Sequence, residues 1–274
     1  MYALDYVRPA SLDEALAFLD EHPDAKALSG GMTLVPTLKQ RLAAPSHLVD
    51  LSRLDELKGI ALLEGVLRIG AASRHADVAA SATVREAIPA LAGLAGLIAD
   101  PQVRNRGTMG GSVANNDPAA DYPAAVLGLG ATVVTSSRRV PADDFFVDMF
   151  ETALAPGELV VAIEYPLPRR AAYRKYRHPA SGYALAGVFV ADFGDAVRVA
   201  VTGAGPAVFR WREAEQALAA DCSVAALAGL ELDPDLMLDD ERTPARYRAN
   251  LVKVFTRRAV EALDGINEET THGI

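Results

Sequence analysis

The chain has 274 residues, 50% apolar and 23% charged, a balance that excludes a disordered or fibrous protein and allows one large domain or two to three small ones sharing a core. Lys plus Arg number 27 against 36 Asp plus Glu, and the formal charge of -9 disfavours nucleic acid and anionic lipid as partners. The single cysteine, Cys222, excludes an intramolecular disulfide, a cysteine-ligated iron-sulfur cluster and a Cys-rich zinc site, and it suits a reducing compartment. The start, Met1-Tyr2-Ala3-Leu4-Asp5, has neither a basic nor an apolar leader region, and the apolar stretch of residues 87–99 is too short for a bilayer and contains Pro89, so the expectation is a cytoplasmic protein.

The first element is a helix: Ser11 and Glu14 have capping-box spacing, Leu12, Ala15, Leu16 and Leu19 fall on one face, and His22-Pro23-Asp24 stops it. A short apolar run at residues 25–28 meets Ser29-Gly30-Gly31-Met32-Thr33, after which Leu34, Leu38 and Leu42 have helical spacing, and residues 47–51 form a buried strand. This is a βαβ-like rhythm over residues 1–56. Residues 60–63 and 66–69 flank a Glu64-Gly65 turn as a hairpin and open a second unit, residues 57–168. Alanine-rich helices follow at residues 75–80 and 89–98, then a polar, glycine-rich stretch over residues 100–121 that is long for a structureless connection and therefore functional. Asp121 is placed to cap a helix reaching Leu129, with Pro123 in its first turn, and residues 131–135 form a strand. Residues 158–165, 173–177, 183–192 and 196–203 look like successive antiparallel strands, followed by helices at 213–220 and 244–263. The third unit is residues 169–274, with a polar tail from Asn267 to Ile274 expected to fray. The fold class is α+β, with no internal repeat.

Two glycine runs carry the chemistry. They are Ser29-Gly30-Gly31-Met32-Thr33 and Gly107-Thr108-Met109-Gly110-Gly111-Ser112, the latter extended by Val113-Ala114-Asn115-Asn116-Asp117. Adjacent glycines with flanking hydroxyls let successive backbone N–H groups point into one concavity and hold an anion without a crowd of lysines. Each charge-assisted N–H bond contributes roughly 1.5–3 kcal/mol. Gly-Gly also makes ordinary tight turns. Asp121 reads either as a helix cap or as an acceptor for a ribose or adenine, and Asn115 and Asp117 read as acceptors or turn residues. Lys175 and Tyr183 lie on neighbouring strands around Pro179-Ala180-Ser181-Gly182, as cofactor contacts or surface residues. The five histidines have no metal-ligand spacing, and GxSxG, P-loop and GxGxxG patterns are missing; Gly203-Ala204-Gly205-Pro206 lacks the third glycine of a Rossmann site.

With Leu28-Ser29-Gly30-Gly31-Met32-Thr33-Leu34-Val35-Pro36, the second run and Asp117-Pro118-Ala119-Ala120-Asp121, the chain closely resembles the FAD-binding medium subunit of molybdenum hydroxylases. This is the carbon monoxide dehydrogenase and xanthine dehydrogenase flavoprotein family, and the resemblance covers essentially the whole chain, including Tyr173-Arg174-Lys175-Tyr176-Arg177 and Ser181-Gly182-Tyr183. It implies a two-subdomain FAD-binding fold of the PCMH type followed by a C-terminal α+β domain. It also implies that Ser29, Gly30, Gly31, Met32 and Thr33 together with Thr108, Gly110, Gly111 and Ser112 cradle the diphosphate. Asn115 and Asp121 then contact the nucleotide half, Leu159 and Val160 a wall near the adenine or flavin, and Lys175 and Tyr183 the isoalloxazine. No histidine adjoins either run, so the FAD is expected to be non-covalent. The implied role is electron relay: a molybdenum cofactor on a large subunit, [2Fe-2S] clusters on a small one, this flavin and an external acceptor, in a dimer of heterotrimers. The one cysteine excludes the branch that carries an extra [4Fe-4S] cluster here. The alternative is a stand-alone flavin oxidoreductase of the same superfamily, and a flavin-free scaffold is a third.

Overall fold

The computed structural model describes residues 1–263; the tail expected to fray, Asn267 to Ile274, lies outside the described residues. The first sheet is parallel, with strand His47–Asp50 between Asp5–Val7 and Lys26–Leu28. Helix Leu12–Glu21 begins where Ser11 Oγ accepts from Glu14 N at 3.1 Å, while the Glu14 carboxylate reaches back one residue beyond the box, to Ala10 N at 2.7 Å. Its Ala15 and Leu19 are buried with Val49, Leu51, Leu54 and Leu57. Helix Leu34–Lys39 is shorter than its leucine spacing predicts: Arg41 takes a left-handed φ of 61°, and Leu42 is 73% exposed.

The second sheet is antiparallel, in the order Ile60–Leu63, Val66–Gly70, Val160–Pro166, Thr132–Thr135, Arg139–Pro141. Its hairpin turns at Glu64 and Gly65, both with positive φ (51° and 81°), the mirror-image turn that two-residue loops favour. The strand at 160–166, read from sequence as the start of a run of C-terminal strands, belongs in the middle of this sheet, because its alternating buried residues face the core under both neighbours. Residues 100–121, read as a loop, contain helices Pro101–Arg104 and Met109–Asn115. Asp100 Oδ1 accepts from Val103 N at 2.9 Å and Thr108 Oγ1 from Gly111 N at 3.3 Å, so side-chain caps give these glycine-rich turns a helical start.

The third sheet, also antiparallel, runs Arg170–Arg177, Ala184–Asp192, Val197–Thr202, Phe209–Arg210. Strand Ala184–Asp192 is buried along its whole length because both faces are covered. Helices Arg212–Ala220 and Ala245–Leu263 share a core with the sheet through Trp211, Leu218, Val252 and Phe255. On the other face lies helix Tyr122–Gly128, buried at all seven residues, which joins the second and third sheets in one core with Phe189 and Ala200. A Cβ at Gly128 would stand 3.0 Å from Phe189, so the glycine permits this close approach. No helix among the described residues is long and apolar enough to cross a membrane.

Candidate functional site

A cleft of about 1000 Å³ separates the first sheet from the second. Ser29, Gly30, Asp50 and Tyr6 line one wall, and Ile60, Ser73, Arg74, Arg106 and Thr108 the other. The two glycine runs meet here. Ser29 Oγ lies 2.9 Å from Thr108 Oγ1, and a Cβ on Gly30 would fall 2.2 Å from the Arg106 carbonyl oxygen, a distance no side chain tolerates. Gly30 is therefore glycine because backbone passes against backbone.

The runs differ in what their backbones offer. In the first, the N–H groups of Ser29, Gly30, Gly31, Met32 and Thr33 donate to no backbone acceptor among the described residues, although Gly31 O accepts from Val35 and Thr33 O from Thr37. Gly31, at φ +72°, turns this row of donors back on itself, as an anion-binding nest requires. In the second, every amide from 109 to 112 is engaged: Met109 N on Ser73 O (3.0 Å), Gly110 N on Ala71 O (2.9 Å), Gly111 N on Thr108 Oγ1 (3.3 Å) and Ser112 N on Thr108 O (3.0 Å). The amides of the second run are thus paired within the protein. Gly110 is small because its helix lies against the sheet; a Cβ there would meet Ala71 Cβ at 2.4 Å. Of the second run, Thr108 reaches the cleft lining, while Gly110 is buried and Gly111 and Ser112 lie further along the helix.

The cleft is basic although the chain is acidic. Arg8, Arg53, Lys58, Arg74 and Arg106 line it, against Asp50 and Asp77. Lys58 is paired with Asp55 (2.8 Å) and Arg8 with Asp50 (3.3 Å), but Arg53, Arg74 and Arg106 have no acidic partner among the described residues. Burial pushes the Asp50 carboxyl up, yet hydrogen bonds from Tyr6, Ser52 and Arg8 outweigh it and hold the group below the usual carboxylate range. Arg8 also donates to the Tyr6 hydroxyl at 2.8 Å, and the bonds of both side chains to Asp50 tie strand Asp5–Val7 to its neighbour at the cleft wall. The sequence reading missed Arg74 and Arg106. The available signal was Arg106 itself, a cation immediately before the second glycine run.

Helix Met109–Asn115, about 10 Å long at 1.5 Å per residue, leads from Thr108 toward a second cluster. Asp121, expected to cap the next helix, makes no capping bond. Its buried carboxylate takes Lys175 Nζ at 2.8 Å and the Tyr173 hydroxyl at 2.5 Å, because the third sheet offers partners at closer range than the helix start does. Burial pushes this carboxyl above its usual range against the opposing pull of Lys175 and Tyr173, and it raises the Tyr173 phenol with the help of Asp121. A Cβ on Gly187 would lie 2.4 Å from the Tyr173 hydroxyl, so that glycine makes room for it. Tyr173 was legible in principle, being two residues from Lys175 on one strand and thus on the same face. Tyr183, 49% exposed, has its phenol raised by burial and by Asp117 and Asp121, which places it beside this cluster. Asp117 turns the chain, its Oδ1 accepting from Ala119 N at 2.9 Å.

The predicted residues thus fall into two groups, Ser29, Gly30 and Thr108 lining the cleft, with Gly31, Met32 and Thr33 continuing the first run beyond its lining, and Asp121, Lys175 and Tyr183 at the third sheet. Leu159 and Val160 are buried in the cores, and Asn115 ends the connecting helix; none of the three lines the cleft. The neighbouring Asn116 donates to Asp148 O and Glu151 O, both at 2.8 Å, which fixes the small hairpin formed by Phe146–Asp148 and Glu151–Thr152. Beneath the second run lies His75, whose N–H donates to Gly107 O at 3.0 Å; burial and the Arg104 charge push its imidazole down to about 4.

A family model described as the FAD binding domain in molybdopterin dehydrogenase matches residues 2–168. The chain is 35% identical over 279 residues to the glyceraldehyde dehydrogenase medium chain of Sulfolobus acidocaldarius, covering 93% of this chain and 96% of that one. It is 36% identical over 279 residues to the 6-hydroxypseudooxynicotine dehydrogenase complex subunit alpha of Paenarthrobacter nicotinovorans, covering 94% and 93%. Among solved structures, a chain of the carbon monoxide dehydrogenase from Hydrogenophaga pseudoflava that lacks the Mo-pyranopterin moiety of its molybdenum cofactor superposes with a TM-score of 0.88 at 34% identity, covering 96% of this chain and 98% of that one.

Proposed function

The chain belongs to the family of FAD-binding domains in molybdopterin dehydrogenases, and from that premise we propose that it is the flavoprotein subunit of a molybdenum hydroxylase. In this reading it passes electrons from [2Fe-2S] clusters of a small partner subunit to an external acceptor, while a large partner subunit carries the molybdenum cofactor and oxidises the substrate, in a dimer of heterotrimers. The observation that carries it is the basic cleft lined by Ser29 and Gly30, the first two of five successive residues whose backbone N–H groups have no backbone acceptor among the described residues. A diphosphate fits such a wall: the amides of residues 29–33 donate to its oxygens, Arg74 and Arg106 offset its charge, and Thr108 adds a hydroxyl. When bound, FAD supplies the redox chemistry. The chain holds and orients it: Asn115 and Asp121 toward the nucleotide half, Leu159 and Val160 as apolar backing, Lys175 and Tyr183 toward the ring. Asp121 fixes the Lys175 ammonium through a two-oxygen contact (2.8 and 2.9 Å) and so sets a positive charge at one place. No histidine lines the cleft, which supports non-covalent binding.

The relatives support a relay in which substrate choice lies elsewhere, since chains named for glyceraldehyde and for 6-hydroxypseudooxynicotine are alike to this one at 35% and 36% identity. The test is the visible absorption spectrum of the purified chain after incubation with FAD and desalting, then release in acid. Flavin bands that survive desalting and leave in acid are expected. Their absence from both the isolated chain and a complex co-expressed with its partners would overturn the reading.

A further inference from the structure

A second cavity, of about 650 Å³, lies where strand Arg170–Arg177 meets the start of helix Ala245–Leu263. That volume is in the range of small-molecule sites. Its lining includes Tyr176, His178, Leu185, Arg242, Arg246 and Tyr247. The chain carries 36 carboxylates, yet none lines this cavity. The guanidinium groups of Arg242 and Arg246 have no acidic partner among the described residues, and the acids nearest in sequence are already engaged. Asp239 accepts from Ala245 N at 2.8 Å, and Asp240 accepts from Thr243 N at 2.9 Å and from Arg248 at 2.8 Å. Arg248 shows what a structural arginine looks like here: buried, and donating also to Leu185 O and Gly203 O at 3.2 and 2.8 Å.

The aromatic wall is held in place. Tyr176 packs edge-on against Phe255 with ring centroids 6.1 Å apart, and Tyr247 lies beside it in the lining, its phenol raised chiefly by Tyr176. His178 Nδ1 accepts from Ala180 N at 3.2 Å, and His178 N donates to Tyr183 O at 2.7 Å, which closes the turn that leads to Tyr183. Flat rings beside two unpaired guanidinium groups fit a ligand that combines a flat ring with a doubly acidic group, because guanidinium binds phosphate in a two-pronged manner while tyrosine faces accept a base. The geometry points to this cavity as a second nucleotide site, for a base bearing phosphate, distinct from the cleft assigned to FAD.

Adenosine diphosphate is the probe. Since the FAD cleft would itself take an adenosine diphosphate, titration calorimetry is run on the full chain saturated with FAD, and repeated on Gly30→Val, which perturbs the cleft alone. Saturable binding is expected in both, weakened at least about tenfold in Arg242→Ala/Arg246→Ala, whose side chains are exposed, with FAD content unchanged. Competition by NADH would assign the site to a dinucleotide coenzyme; saturable ADP binding without that competition would assign it to a free nucleotide, and both keep the site. No saturation at ADP concentrations on the order of 10 mM overturns the proposal. So does binding that Gly30→Val abolishes and the arginine variant spares. A chain that takes up no FAD would overturn the flavoprotein reading alone, because the Gly30→Val titration still reads this cavity.

Discussion

The two glycine runs look alike in sequence and act in opposite ways. Residues 29–33 leave their amides without a backbone acceptor among the described residues, and Ser29 and Gly30 line the cleft, whereas residues 109–112 turn theirs inward, onto Ala71, Ser73 and Thr108. The first is an open donor row; the second is a buttress that holds the opposite wall at the right distance. A glycine run thus signals close approach of backbone, and only the fate of its N–H groups tells whether the approach is to a ligand or to the protein itself.

Valine substitutions break this contrast most severely. Gly30→Val drives a branched side chain into the Arg106 carbonyl at the seam between the runs, so FAD retained after desalting is expected to fall by more than about tenfold. Gly110→Val drives one into Ala71 within the core, so its main effect is a loss of stability of about 3 kcal/mol, read as a lower denaturation midpoint. If Gly110→Val keeps its midpoint and loses flavin while Gly30→Val does the reverse, the assignment of roles is wrong.

The buttress continues to Asp121, and the next effect in size tests that anchor. Lys175→Met leaves a buried carboxylate without its cation, which costs about 3–5 kcal/mol in urea unfolding. Adding Asp121→Asn should recover part of the loss; equal unfolding of the single and double variants would show that the pair does not act as a unit.

Acid should also act on the second run rather than the first. His75 lies against Gly107, where a Cβ would touch its Nε2 at 2.5 Å, and its imidazole is held down at about 4 from an ordinary value of 6.5. Between those values the unfolded chain binds a proton that the folded chain refuses. Stability is therefore lost as pH falls from 6.5 toward 4, by about 3 kcal/mol, and this contribution levels off below that window. His75→Phe should flatten the profile of denaturation midpoint against pH. An unchanged slope would remove His75 from the account.

Legibility followed the range of the interactions involved. The hairpin at Glu64-Gly65, helix Leu12–Glu21 and the strands of the third sheet are fixed by local turn chemistry and periodicity, and they were readable. Helix Met109–Asn115 was not, because two glycines argue against helix until the distant partners of its first amides, Ser73 for Met109 and Ala71 for Gly110, are known. The placement of Val160–Pro166 between Val66–Gly70 and Thr132–Thr135 was hidden for the same reason. At the site, the glycines announced themselves by composition, whereas Arg74 and Arg106 look like any surface arginine until the fold brings them to one cleft without acidic partners. Asp121 read as a cap because its partners, Tyr173 and Lys175, lie 52 and 54 residues on.

The smallest effect lies at Thr108, whose side chain touches both runs. Thr108 Oγ1 accepts from Gly111 N at 3.3 Å, which starts the buttress helix, and stands 2.9 Å from Ser29 Oγ at the edge of the open donor row. Thr108→Val keeps the shape and deletes both bonds. Loss of the cap costs about 1 kcal/mol of stability, and loss of the hydroxyl contact costs a few-fold in FAD affinity, of order 1 kcal/mol or less. Thr108→Ser should restore both, since the hydroxyl is what each bond requires. Ser29→Ala removes the contact from the other side and spares the cap, so it should lower affinity without moving the denaturation midpoint. Measured together, Thr108→Val and Ser29→Ala should be less than additive in affinity, because the second substitution deletes a bond already lost. Strict additivity would mean that the runs act independently on the flavin, and that the seam between them is a contact of packing alone.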